Sequence, residues 1–250
     1  MTYEHLLLSE PASKILQVCI NRPRQFNALS AQTINELSNC LQDFEQSEAS
    51  VLILTGAGRA FCFGADFNEF QNRRQLPHLL ELFQNFILKL YHCSKITVAA
   101  LNGFATGVGL DLALACDIRI ASDRAKLGEA YVSMGLVPDC GGSFFLPQIV
   151  GSAKALQMLI SGDSVSSGEA KMLGLVQEIY PADDLSGAAL TLATQIAEKP
   201  QTAVRLIKRL LKTPADSLES ALEKERDAQL VCFEDPEHRA IVEEFLRKRR

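Results

Sequence analysis

Two glycine-bearing turns, Phe61-Cys62-Phe63-Gly64-Ala65-Asp66 and Asn102-Gly103-Phe104-Ala105-Thr106-Gly107-Val108-Gly109, each follow directly on an apolar run and stand about forty residues apart. Short apolar runs closed by turn residues read as buried strands. Ile15 to Ile20 and Val51 to Thr55 are of the same kind, closed by Asn21-Arg22-Pro23 and Gly56-Ala57-Gly58. Between them, Ser30 to Gln46 carries Ile34, Leu37, Leu41 and Phe44 at helical spacing, with Ser30 as N-cap. The pattern recurs as a helix from Leu76 to Tyr91, a strand at Ile96 to Leu101, the second glycine turn, a helix through Leu110 to Ala115 and a strand at Asp117 to Ala121. Such alternation predicts an α/β fold whose parallel strands are joined by crossover helices.

Beyond Pro147 the spacing turns helical: Ala153 to Ile160, Ser166 to Leu173, Leu185 to Glu198, Thr202 to Leu211, Leu218 to Cys232 and Glu237 to Arg249. A core domain over residues 1–195 and a helical subdomain over 196–250, entered near Lys199-Pro200, are expected. Helices with more apolar face than one domain needs pack against a second copy, so an oligomer is expected too.

With 250 residues, 47% hydrophobic, and a net charge of -5, the chain can bury a large core and is a poor match to a nucleic-acid groove. The basic ending Arg247-Lys248-Arg249-Arg250 reads as a solvated helix end or a phosphate contact. Seven cysteines, odd in number and never spaced as C-x-x-C, point to reduced core thiols and a cytoplasmic protein. No basic segment followed by an apolar one opens the chain, and no apolar stretch approaches membrane-spanning length, so neither export nor a membrane partner is expected. Neither a metal site nor a histidine with a matched catalytic partner is visible.

Glycine turns of this type can aim two backbone N–H groups at one point, as a reaction passing through an oxyanion requires. Such a hole does not select the reaction. The carboxylates that move protons do.

The ordered series Asn21-Arg22-Pro23-Arg24-Gln25-Phe26-Asn27-Ala28-Leu29, Ala60 to Phe67, Asn102 to Ile118 and Gly135-Leu136-Val137-Pro138-Asp139-Cys140-Gly141-Gly142 resembles the crotonase superfamily, the enoyl-CoA hydratase/isomerase family. Its Pro-Asp-Cys-Gly-Gly run is shared with the family's epoxyphenylacetyl-CoA isomerase type. The resemblance implies a ClpP-like spiral of ββα turns, a C-terminal helical trimerisation region, a homotrimer or hexamer, and an acyl-CoA thioester substrate. Coenzyme A would enter as part of the substrate, with no further cofactor.

By match to the family motifs, the oxyanion hole falls to the N–H groups of Ala65 and Val108, where Val108 replaces the usual glycine. Phe63, Gly64, Ala65, Asp66 and Phe67, together with Gly107, would line the coenzyme pocket, and Arg24 and Ala28 would follow the pantetheine and phosphates. The two water-holding glutamates of the family's hydratases match Asp111 and Tyr131, so that pair is missing as such. Glu129, read on a strand, shares a face with Tyr131 by alternation and is a substitute candidate.

Asp139 has two readings. From the residues alone it is a helix N-cap before Gly141-Gly142; by the resemblance it is the acid/base of the family's isomerases. Moving a double bond from C3 to C2 needs one base that takes a proton from C2 and returns it to C4, and Asp139 meets that count. Asp111 is either a helper that orients water or substrate, or a first-turn residue at the positive end of its helix. Asp117 is expected to be structural. Phe61, Phe63, Phe67, Tyr131, Phe144 and Phe145 are candidates for a dry wall, and residues 71–80 for the segment that shapes the pocket. An isomerase is the first expectation. A hydratase or a carrier-type dehydratase is the alternative, and a noncatalytic acyl-CoA-binding protein the rival of another class.

Overall fold

A computed structural model describes residues 3–71 and 74–248. The chain opens with an antiparallel pair, β1 (Leu6–Ala12) and β2 (Ile15–Ile20), with Leu6 opposite Ile20. Strand β1 escaped the sequence pattern because it lies at the sheet edge, where only Leu6 is buried and Pro11 is tolerated. Helix α1 (Ala31–Gln46) starts as expected at Ser30, whose hydroxyl accepts from the Thr33 N–H at 3.1 Å.

A strand, a shorter strand and a helix then repeat three times. The first set is β3 (Val51–Gly56), β4 (Ala60–Cys62) and α2 (Leu76–His92). The second is β5 (Ile96–Leu101), β6 (Phe104–Thr106) and α3 (Val108–Ala115). The third is β7 (Ile118–Ser122), β8 (Lys126–Gly128) and, after a 3-10 turn over Ala130–Met134, α4 (Gly142–Val150). The long members of each set pair in parallel in one sheet, of order β1-β2-β3-β5-β7, and the short ones in a second, β4-β6-β8. Each set is thus one coil of a ββα spiral.

The chain continues through α5 (Ser152–Ser161), β9 (Ser164–Ser166), α6 (Ser167–Met172) and β10 (Glu178–Tyr180), which complete the small and large sheets at β8 and β7. Four helices follow: α7 (Leu185–Ala197), α8 (Gln201–Lys212), α9 (Leu218–Glu234) and α10 (Pro236–Arg247). Helix α4 runs through Pro147, where the sequence suggested helices only beyond it. The carbonyl that Pro147 cannot serve belongs to Ser143, which is exposed and open to water.

Period-two alternation gives the large sheet two apolar faces. Leu52, Leu54, Ala99 and Leu101 join the main core with α1, α2 and α3. Val51, Ile53, Val98 and Ala100 meet Leu185, Ala189, Ala193 and Ala197 of α7, whose four-residue spacing lays a stripe of mostly small side chains on the sheet. Helix α8 is tied in through Asp117, as a structural reading of that residue expects. Its Oδ2 accepts from the Thr97 N–H at 2.9 Å and from Lys208 Nζ at 2.6 Å, while Oδ1 pairs with Lys212 Nζ at 2.8 Å.

Candidate active site

The two glycine turns lie on successive coils and are fastened together. Gly109 sits so close to the end of β4 that a Cβ there would stand 2.1 Å from the Cys62 carbonyl oxygen. The Thr106 hydroxyl adds a second tie, donating to the Phe63 carbonyl at 2.9 Å. Only glycine at position 109 permits this approach.

In the first turn Leu29 forms a parallel bridge with Ala65: the Leu29 N–H donates to the Gly64 carbonyl and the Asp66 N–H to the Leu29 carbonyl, both at 2.8 Å. A bridge of this type engages the groups flanking Ala65, so the N–H of Ala65 itself faces the other way. In the second turn Gly107, at φ 52°, leads into α3 with Val108 as its first residue. The Leu110 and Asp111 N–H groups return to the Gly107 carbonyl, whereas Val108 has no acceptor within its helix. Among the described residues neither N–H is seen to donate a hydrogen bond, and Ala65 and Val108 both line one cavity of about 660 Å³.

That cavity is lined by Ala28, Phe63, Gly64, Ala65, Asp66, Phe67, Gly107, Val108 and Asp139 of the expected residues. Arg24 is exposed on a 3-10 turn and does not line it; its neighbour Gln25 does. Asp66 is held by Arg22, with Nη2 donating to Oδ2 at 2.8 Å. Burial opposes ionisation of Asp66, but the Arg22 and Asn68 hydrogen bonds outweigh it and hold the carboxyl below its ordinary range. Arg22 also donates to the Ala28 carbonyl, so one guanidinium holds two residues that line the cavity, Asp66 and Ala28.

The aromatic wall differs from expectation. Phe63, Phe67 and Tyr131 line the cavity, joined by Phe83 and Leu79 of α2 and by Phe104, which the sequence did not single out. Phe61 is wholly buried in the core. Phe144 and Phe145 line a second cavity of about 530 Å³, with Tyr91, Cys140 and Lys212. Of residues 71–80, Leu79 and Leu80 face the first cavity, while Asn72 and Arg73 lie outside the described residues.

Asp139 lines both cavities. It does not cap α4, whose N-cap is Gly141 without a side-chain hydrogen bond. Its carbonyl accepts from Gln84 Nε2 at 2.9 Å, and among the described residues no cation pairs with its carboxylate.

Asp111 sits in the first turn of α3, fully buried, and is separated from the cavity by Tyr131, whose hydroxyl donates to Oδ2 at 2.6 Å. Glu129 is also fully buried and belongs to no strand: it is the N-cap residue of the 3-10 turn that carries Tyr131. The turn brings both residues to Asp111. A Cβ on Gly142 would lie 2.8 Å from Asp111 Oδ1 and 3.1 Å from Glu129 Oε1, which fixes the two carboxyl groups against the same glycine. Burial first, then their mutual repulsion and that of Asp139, pushes Glu129 well above the ordinary carboxylate range. Burial also raises Asp111, against the Tyr131 hydrogen bond. The Tyr131 phenol is raised by burial and by Asp111, so it keeps its proton.

The sequence understated Glu129 because alternation assumed a strand. The signal available was an acid two residues before Tyr131, the position that the family match had already singled out. Among the described residues no group of histidine, cysteine and carboxylate side chains is arranged to hold a metal, and no helix is long and apolar enough to cross a membrane.

Comparison with known proteins identifies the family and the fold. The family described as enoyl-CoA hydratase/isomerase matches residues 10–250. The 1,2-epoxyphenylacetyl-CoA isomerase of Escherichia coli is 33% identical, over 97% of this chain and 96% of its own. The crotonyl-CoA hydratase of Syntrophomonas wolfei is 34% identical, over 100% and 98%. The crystal structure of an enoyl-CoA hydratase from Bacillus anthracis superposes with a TM-score of 0.94 at 31% identity, covering 98% of this chain and 97% of that one. The spiral is the crotonase fold, and the chain belongs to the enoyl-CoA hydratase/isomerase family.

Proposed function

We propose that this protein is an acyl-CoA isomerase that moves a double bond into conjugation with the thioester. The carrying observation is the state of the carboxylates. Of those expected to move protons, Asp139 alone lines the cavity, and it has no cation partner among the described residues; Asp111 stands behind Tyr131. A hydratase needs two carboxyl groups open to a water, and the other carboxyl group lining this cavity, Asp66, is taken up by its ion pair with Arg22.

The thioester carbonyl rests against the Ala65 and Val108 N–H groups. When Asp139 removes a proton from C2, the charge that gathers on oxygen is met by donors already in place, each contributing about 3 to 4 kcal/mol. Asp139 then serves as acid toward C4. Phe63, Phe67 and Phe83 keep the enolate dry, and the Asp66–Arg22 pair with Ala28 borders the coenzyme arm. No resident metal or redox group is required by this chemistry. The family resemblance and the exposed apolar side chains of α9 and α10, among them Leu222, Leu230, Phe233 and Phe245, support a homotrimer or a hexamer.

The test is incubation with a 3-enoyl-CoA and, separately, a 2-enoyl-CoA. A rise in conjugated-thioester absorbance with the first and no hydration of the second is expected. Loss of conjugation from the second would make the protein a hydratase, the activity for which the Syntrophomonas relative is named. Binding without turnover of either would leave an acyl-CoA-binding protein.

A further inference from the structure

Asp139 is the one described residue that lines both cavities, the first of about 660 Å³ and the second of about 530 Å³. Helix α2 runs past both. Leu79, Leu80 and Phe83 face the first, and Gln84, Ile87, Leu88 and Tyr91 face the second. Leu80, Phe83, Gln84, Ile87 and Tyr91 follow at three- and four-residue spacing, so a single face of the helix passes from one cavity to the other. The other wall takes the same course, with Leu136 on the first cavity and Cys140, Phe144 and Phe145 on the second. Gln84 joins the two walls at the junction, where its Nε2 donates to the Asp139 carbonyl at 2.9 Å.

The second cavity is walled by rings. Phe144 and Phe145 lie 5.4 Å apart at 74°, Tyr91 and Phe144 6.2 Å apart at 90°, and Tyr91 and Phe145 5.6 Å apart at 47°. Such a corner suits a further ring, because aromatic pairs prefer tilted and edge-to-face contact. The charge at its rim is already answered. Lys212 Nζ is held by Asp117 Oδ1 at 2.8 Å and by the Tyr91 carbonyl at 2.6 Å, and it lies over the Tyr91 ring at 4.2 Å, while His92 packs edge-on against that ring. A guest carboxylate would have to compete with Asp117 for Lys212, whereas an apolar guest leaves the pairing in place. Size argues against a short acyl group: an apolar cavity of about 150 Å³ already holds a benzene ring. A space of about 530 Å³ has room for a ring and its spacer, and an acyl chain that ended at C4 beside Asp139 would leave it unfilled.

We propose that the second cavity receives the far end of the acyl group, and that this end is an aromatic ring joined to the thioester by an alkyl spacer. This rests on the reading that sets C2 to C4 of the thioester against Asp139, and it adds the class of acyl group. Beyond C4 the chain passes Gln84, whose side chain sets the width of the junction, and the ring comes to rest against Tyr91 and Phe144. Gln84 and Phe144 are specificity-determining residues that touch none of the reacting carbons.

The experiment is calorimetry with saturated thioesters, which bind without turnover whichever reaction the protein carries out. Phenylhexanoyl-CoA is expected to bind about 10- to 100-fold more tightly than hexanoyl-CoA, as burial of a whole ring provides, and more tightly than decanoyl-CoA. Phe144→Ala should cost phenylhexanoyl-CoA about 2- to 10-fold more than it costs hexanoyl-CoA, the size of one ring contact. Gln84→Trp, which fills the junction from an exposed position on α2, should erase the preference for the ring. Equal affinity for the two hexanoyl thioesters, tighter binding of decanoyl-CoA, or a ring preference that survives both substitutions overturns the proposal while leaving the isomerase reading intact. No ring preference in the wild type, with a fall in oligomeric size in Phe144→Ala, gives the groove to a second copy of the chain and overturns it as well. A ring preference in a protein that hydrates a 2-enoyl-CoA upholds the proposal and overturns the isomerase reading. Failure to bind any of the three thioesters overturns both.

Discussion

Asp139→Asn keeps the shape of the side chain and removes its basicity. Isomerisation should fall by about 100- to 10,000-fold while acyl-CoA affinity, read by calorimetry, stays within a few-fold, because the Ala65 and Val108 donors and the rest of the cavity lining remain. The Asp111–Glu129 pair gives a stability signature of the opposite sense to an ordinary ion-paired acid. Its carboxyl groups ionise at higher pH in the folded state than in the unfolded chain, so the folded state binds more protons in between. Stability from this source is full below the unfolded carboxylate range near about pH 4 and is lost as pH rises through the folded values. Glu129→Gln removes one of the two titrations, so melting temperature should decline less steeply from acid to alkaline pH than in the wild type. Asp66 works the other way. Its Arg22 partner lowers it, so that contribution is present above the unfolded value and lost on acidification.

The element that most narrowly constrains the site is the N-terminus of α3. Gly109→Ala would thrust a methyl group into the Cys62 carbonyl, and the turns must separate to admit it. A loss of about 1 to 3 kcal/mol in denaturant unfolding is expected, together with a drop in kcat larger than the change in KM. The long strands and most helices were legible in the sequence because each buries one face and so writes its period into the chain: β2 falls on Ile15–Ile20 as read, and α1 on its Ser30 cap. The short strands β4, β6 and β8 were not, since three residues carry no period. The placement of Glu129 was lost for the same reason: local pattern cannot distinguish a strand end from a 3-10 turn, and the difference decides whether Glu129 reaches Asp111. The glycine turns were legible because their chemistry is local; the wall from α2 was not, because Phe83 and Leu79 occupy ordinary core positions in that helix.

At the scale of the molecule, α8 is locked to the body by a buried charge. Lys208→Met leaves Asp117 with Lys212 as its remaining cation and should cost about 3 to 5 kcal/mol, measured by thermal or denaturant unfolding. Beyond α8 the helices keep apolar side chains in solvent: Leu230, Phe233, Ile241 and Phe245 are each about half exposed or slightly more or less. Sedimentation or light scattering should show a trimer or hexamer, and Leu230→Asp should shift it toward smaller species. A monomer at micromolar concentration in the wild type would sink that expectation.

The fastening of the two glycine turns has one more consequence. Ala65 belongs to one coil of the spiral and Val108 to the next, so the gap between the two donors is the pitch of the coil itself. If the proposed function holds, a thioester oxygen between them would gauge how tightly the chain is wound, and a substitution that loosens the winding, however far from the cavity, should register first as lost turnover and only later as lost structure.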